Sequence, residues 1–148
     1  TQALNAQIIL IVAASLALGV ALVETGSTEF LAHTFIHLLD GAPPAVILSA
    51  LIALMAVMTN IVSNNAAAVI GTPIAATIAM EIGASPIPFV LAVLFGANMS
   101  YATPMAYKTN LLVMNAGGYK FRDFLKVGVP LTVLLWLVFS FLLSSLYL

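Results

Sequence analysis

Thr59-Asn60-Ile61-Val62-Ser63-Asn64-Asn65-Ala66-Ala67-Ala68 sets a run of side-chain amides and hydroxyls in the middle of long apolar sequence. Apolar runs at 45–58 and 66–79 flank it, so the polar cluster falls at membrane depth. An unpaired polar group in hydrocarbon costs roughly 2–7 kcal/mol, so these side chains must face protein, water or a ligand rather than lipid. Interrupted backbone at that depth signals a functional site.

Outward from this stretch, composition gives the class. Of 148 residues, 63% are hydrophobic and 6% charged, where a soluble domain carries about 25% charged residues. The chain therefore reads as an all-α integral membrane protein. A net charge of −1 provides no basic stripe to neutralise phosphates, which argues against a nucleic-acid partner. The absence of Cys rules out disulfides and thiol chemistry. No carboxylate pair, metal triad or nucleophile with a base falls in the membrane-depth segments, so an enzyme is not expected. The chain lacks a signal peptide and does not begin with Met, and we expect a processed or partial chain.

Residues 1–26 read as a spanning helix, with Gln7 and Ser15 the main polar interruptions of an apolar run at 3–23. Gly26 is its expected stop, and Ser27 or Thr28 the expected cap of the next helix. Residues 27–41 are too short to span. Phe30, Leu31, Thr34, Phe35, Leu38 and Leu39 recur at three-to-four-residue spacing, which predicts an amphipathic helix at the membrane interface. His33 and His37 have a metal-ligand spacing with no evident third ligand.

Residues 42–85 hold two short apolar helices around the polar stretch. They read either as two compressed spans or as a re-entrant helical hairpin, the favoured reading. Residues 86–116 predict a broken helix, interrupted at Ser100-Tyr101-Ala102-Thr103-Pro104 because Pro104 removes a helical donor. Lys108 is expected at the cytoplasmic end of its half-helix, snorkelling. Residues 117–148 form a loop with three of the four Lys and Arg residues, then a final spanning helix containing Trp136. The positive-inside rule puts that loop in the cytoplasm, so the hairpin enters from outside, with Asp40 and Glu81 at its external base.

Carbonyls freed at a break, with Asn and Thr oxygens, suit a small hard cation, while the amino ends of half-helices suit an anion. The stretches at 59–65 and 100–105 supply both, the requirement of a cation-coupled anion carrier. The plainer alternative is two kinks satisfied by neighbouring helices.

Ser63-Asn64-Asn65-Ala66-Ala67-Ala68, followed by Ala102-Thr103-Pro104-Met105-Ala106-Tyr107-Lys108-Thr109-Asn110 and by the stretch from Gly117-Gly118-Tyr119 to Lys126-Val127-Gly128, resembles the C-terminal part of the divalent anion:sodium symporter family across essentially the whole chain. The resemblance implies the second half of an inverted-repeat transporter. Its interfacial helix would link scaffold to transport domain, followed by the re-entrant hairpin, the broken helix and a final span. Carried over by motif, Ser63, Asn64, Asn65, Thr103 and Pro104 would bind substrate. Thr59, Val62, Asn64 and Ala102 would line a sodium site, with Na+ as coupling ion. Asn65 departs from the Thr of dicarboxylate carriers, which changes the donor geometry toward the anion. The first repeat, with its own hairpin and second sodium site, is absent from the chain. TrkA-C regulatory domains between the repeats of some relatives would make such a piece natural.

The function implied is sodium-coupled secondary active symport of a divalent anion, sulfate before a C4 dicarboxylate, by an elevator-type mechanism. The implied setting is a homodimer in the lipid membrane, on a multi-pass chain of the cell membrane of bacterial inner-membrane type, with the N-terminal repeat of the same permease as partner. The alternatives are an arsenite or sodium/proton carrier of the wider ion transporter superfamily, and a non-transporting membrane subunit.

Overall fold

Proline and glycine punctuate this chain, and the elements begin and end at them. The computed structural model describes residues 6–148, so the start of the first apolar run, at 3–5, lies outside the described residues. Among the described residues seven helices are arranged in order: α1 (Ala6–Glu24), α2 (Ser27–Leu38), α3 (Pro44–Ile61), α4 (Asn64–Glu81), α5 (Pro86–Ala97), α6 (Lys108–Gly117) and α7 (Phe121–Tyr147). Pro44 and Pro86 each open a helix where a missing N–H costs nothing. Gly26 stops α1 and starts α2 within one residue, at φ 69°, a backbone state that strains any residue with a β-carbon. Gly118 ends α6 in the same way at φ 65°.

The polar stretch is less disruptive than its composition suggests. Helix α3 continues through Thr59, Asn60 and Ile61, and only Val62 and Ser63 separate it from α4. Asn60 stays within the helix, and its Nδ2 shares the Ala56 carbonyl one turn back, at 2.7 Å. Ser63 caps α4, its Oγ accepting from Ala66 N at 3.2 Å. Each arm of the hairpin is 18 residues, about 27 Å by helical rise.

Helix α5 lies against both arms of the hairpin, α7 runs along α3 and α5, and α1 and α2 pack on α4. The core is the seam of α3, α4 and α5, where Leu48, Ile52, Met55, Ile78 and Phe89 are buried. Small residues set the spacing there: a β-carbon on Gly96 would sit 2.6 Å from Met55 Cβ and 3.0 Å from the Ile52 carbonyl oxygen. Phe95 and Phe139 stack at 4.3 Å between ring centroids and join α5 to α7. Ser49 completes the α3–α7 contact, accepting from Trp136 Nε1 at 2.8 Å on its carbonyl and pairing with Ser140 Oγ at 2.9 Å.

Two expectations shift. The inner face of α2 is Thr28 and Ala32, with Phe35, Ile36 and Leu39 packed beside the core, while Phe30 and Leu38 are exposed. Lys108 stands at the first position of α6, beside the break, and not at the far end of its half-helix. The reason is the length of the interruption, which runs from 98 to 107 and delays the restart of the helix. Helices α3 and α7 are long and apolar enough to cross a membrane, and α7 buries only Gly128 and Leu143, leaving a broad apolar face outward.

Candidate functional site

Three chain ends meet at one level: the last turn of α3, the first turn of α4 and the residues after α5. Thr59, fully buried, lies at their centre. Its Oγ1 is 2.6 Å from the Ala97 carbonyl oxygen and 2.8 Å from Asn64 Oδ1, while Asn64 Nδ2 faces Ser100 Oγ at 3.3 Å. One hydroxyl proton serves only one acceptor, and the Ala97 carbonyl offers nothing in return. Turning the Asn64 carboxamide by half a rotation lets its NH2 donate to Thr59 and its oxygen accept from Ser100, which satisfies every group. In the other orientation three oxygens crowd one proton, an arrangement that favours a cation.

The break is held by side chains on both flanks. Asn60 reaches across from α3: its Oδ1 accepts from the N–H groups of Ala102 at 3.0 Å and Thr103 at 3.2 Å, and its Nδ2 donates to the Met99 carbonyl at 2.9 Å. Thr103 Oγ1 returns a bond to the Asn60 carbonyl at 2.8 Å. From α6, Asn110 Nδ2 donates to the carbonyls of Ser100 at 2.8 Å and Thr103 at 3.2 Å. Gly128 of α7 lies against the Tyr101 carbonyl group, and a β-carbon there would stand 2.6 Å from Ala102 Cα.

Among the residues nominated from sequence, Thr59, Asn64, Ala102 and Thr103 therefore converge, with Asn64 and Thr103 part-buried. Pro104 is buried beside them. Val62 and Ser63 form the exposed turn, the Val62 N–H tied back to the Met58 carbonyl at 2.8 Å and the Ser63 hydroxyl spent on its cap. Asn65 points elsewhere: it lines a cleft of about 740 Å³ between α1 and α4, with Ser15, Thr72 and Glu24. Ala102, Thr103 and Asn60 instead line a smaller, mostly apolar cavity of about 380 Å³ against Val129, Thr132 and Trp136. The N–H groups of Asn64 and Asn65, in the first turn of α4, have no intrahelical partner and face the turn. No acidic residue occupies that first turn, so its positive dipole end is unneutralised by the helix itself.

Asn60 and Ser100 are legible as polar residues at the breaks, and Asn110 and Gly128 only as members of the quoted motifs, yet only the fold gives them roles. His33 Nε2 lies 3.4 Å from Glu81 Oε1, an exposed contact between α2 and the end of α4, away from this site. Among the described residues no group of three His, Cys, Asp or Glu is placed to hold a metal ion.

A family model described as citrate transporter matches residues 1–148. An uncharacterized transporter of Synechocystis is 36% identical over 98% of this chain, and an uncharacterized Escherichia coli transporter is 33% identical over 94% of it. A probable sodium/sulfate cotransporter of Chlamydomonas reinhardtii is 33% identical over 96% of this chain. The chain spans 24%, 23% and 16% of the lengths of these relatives.

Proposed function

Since the chain belongs to the citrate transporter family, whose members are membrane transporters and not enzymes, we propose that it is the C-terminal portion of a sodium-coupled symporter of divalent anions. The observation that carries this reading is the convergence of an unneutralised helix N-terminus, that of α4, with the oxygen cluster of Thr59, Asn64 and the Ala97 carbonyl. The first suits an anion, and the second suits Na+. Thr59, Val62, Asn64 and Ala102 would line the sodium site. Ser63, Asn64, Thr103 and Pro104 would border the anion, while Asn65, which the motif also nominates, lies apart in the α1–α4 cleft.

Sulfate is the first substrate and a C4 dicarboxylate the second. Two relatives described as sodium/sulfate cotransporters, 33% identical to this chain, support that order. The re-entrant reading of α3 and α4 is supported by α6, which continues for ten residues, about 15 Å, from the break to the turn before α7. The whole permease would pair this portion with an N-terminal repeat, dimerise, and move the hairpin-bearing domain in elevator fashion. An arsenite or sodium/proton carrier of the wider ion transporter superfamily is the second reading, favoured by Lys108 standing beside the break.

Thermal stability of the detergent-purified full-length permease tests both. Sulfate, succinate, citrate and phosphate are each added with sodium and with choline. A ligand at about 100 times its Kd adds roughly 2.7 kcal/mol. Stabilisation by one anion in sodium alone is the expected result. Equal stabilisation in choline would favour proton coupling, and no shift with any anion would reject the anion carrier.

A further inference from the structure

Asn60 uses both halves of its carboxamide. Its Oδ1 accepts from two successive backbone N–H groups, those of Ala102 and Thr103, and its Nδ2 donates to the carbonyls of Ala56 and Met99. Successive N–H groups converging on one point make a concavity of the kind that binds anions. Here a protein oxygen fills it. Every peptide described is trans, and a trans peptide points its C=O opposite to its N–H. Fixing the N–H groups of Ala102 and Thr103 toward α3 therefore turns the carbonyls of Tyr101 and Ala102 away from Asn60. The Tyr101 carbonyl meets α7 at Gly128, where the absence of a side chain makes room for it.

We infer that Asn60 is a positioning residue that fills the anion-binding concavity of the break, fixes the Ala102 carbonyl for the sodium site, and keeps the anion off the N–H groups of Ala102 and Thr103. The inference rests on the sodium-coupled reading above for its transport consequences, but not for its structural one. The residue type is set by the count of bonds. Only a carboxamide offers two donors and a twice-used acceptor: Asp keeps the acceptors, loses the donors and sets a carboxylate against two carbonyl oxygens, and Ala leaves the N–H groups open.

The test uses the full-length permease in liposomes, as wild type and Asn60→Ala, with two readouts. Amide hydrogen exchange over the peptide containing 102–103 is expected to be slow in the wild type and fast in Asn60→Ala, with exchange elsewhere unchanged. The half-saturating sodium concentration for sulfate uptake is expected to rise about ten-fold, while the sulfate KM at saturating sodium stays within about two-fold. Unchanged protection at 102–103, or equal weakening of sodium and sulfate, would overturn the assignment. Should Asn60→Ala fail to fold, Asn60→Asp, which keeps the acceptor, carries the test: retained protection at 102–103 supports the inference, and lost protection overturns it. A wild type with no sodium-dependent uptake defeats the symporter reading instead, and leaves the exchange result to decide the role of Asn60.

Discussion

Gly128→Ala is the substitution that most directly probes how the break is seated. A β-carbon on Gly128 would overlap the Tyr101 carbonyl group and lie 2.6 Å from Ala102 Cα, all of it backbone. Backbone held by Asn60 and Asn110 has no rotamer to change, so the loop or α7 must move by well over 1 Å to bring the Tyr101 carbonyl to an ordinary contact near 3.5 Å. Two energies compete. Ala in place of Gly improves helix propensity by about 1 kcal/mol, while overpacking a fitted contact costs about 1–3 kcal/mol or more. With rigid atoms on the opposing side the second term wins, and the net effect is destabilising by roughly 1–2 kcal/mol. Gly71→Ala is the internal control: there a β-carbon would meet the flexible end of Met55, 2.6 Å from its Cε, which can swing aside. The assay is the thermal midpoint and sulfate uptake of the purified full-length permease carrying each substitution. Gly128→Ala is expected to lower both, and Gly71→Ala to lower the midpoint less and retain uptake. A Gly128→Ala protein with wild-type midpoint and uptake would refute the close docking of the Tyr101–Ala102 peptide on α7.

The same contacts set three further outcomes. Thr59→Val keeps the shape but removes the buried hydroxyl, leaving the Ala97 carbonyl without this donor, and is expected to cost about 1–3 kcal/mol by thermal unfolding and to weaken sodium activation of uptake. Asn64→Ala is expected to abolish sodium-dependent uptake while the protein still purifies as a folded species by size exclusion and circular dichroism; unchanged uptake would reject the assignment of Asn64 to the site. His33→Gln removes an exposed contact to Glu81, with His33 67% exposed, so the thermal midpoint should reveal a change of no more than about 0.5 kcal/mol.

Much of the fold is legible in the residues because the strongest local signals are stereochemical. Pro44 and Pro86 open helices, Gly26 closes one, and apolar length marks α7 as a span. The hairpin boundaries are less legible. A polar run predicts interruption, yet Thr59 and Asn60 remain helical, because their side chains find partners outside the helix, at the Ala97 and Met99 carbonyls and the Ala102 N–H. The buried face of α2 escapes a local reading for a similar reason: periodicity marks apolar residues, but the presence of α4 decides which of them are covered.

Composition and hydropathy alone determine that this chain is helical and belongs in a membrane, since too few charged residues exist to clothe a soluble surface. The order of motifs alone places the two breaks and nominates Thr59, Asn64, Ala102 and Thr103. Only tertiary structure brings Asn60 to Ala102 and Thr103, about forty residues away in sequence, and seats Gly128 on Tyr101. Only tertiary structure likewise separates Asn65, in the α1–α4 cleft, from its neighbour Asn64 at the centre of the site. Adjacent residues on a helix point about 100° apart, so sequence neighbours part company, while partners from α3 and the break meet through packing that no local pattern encodes.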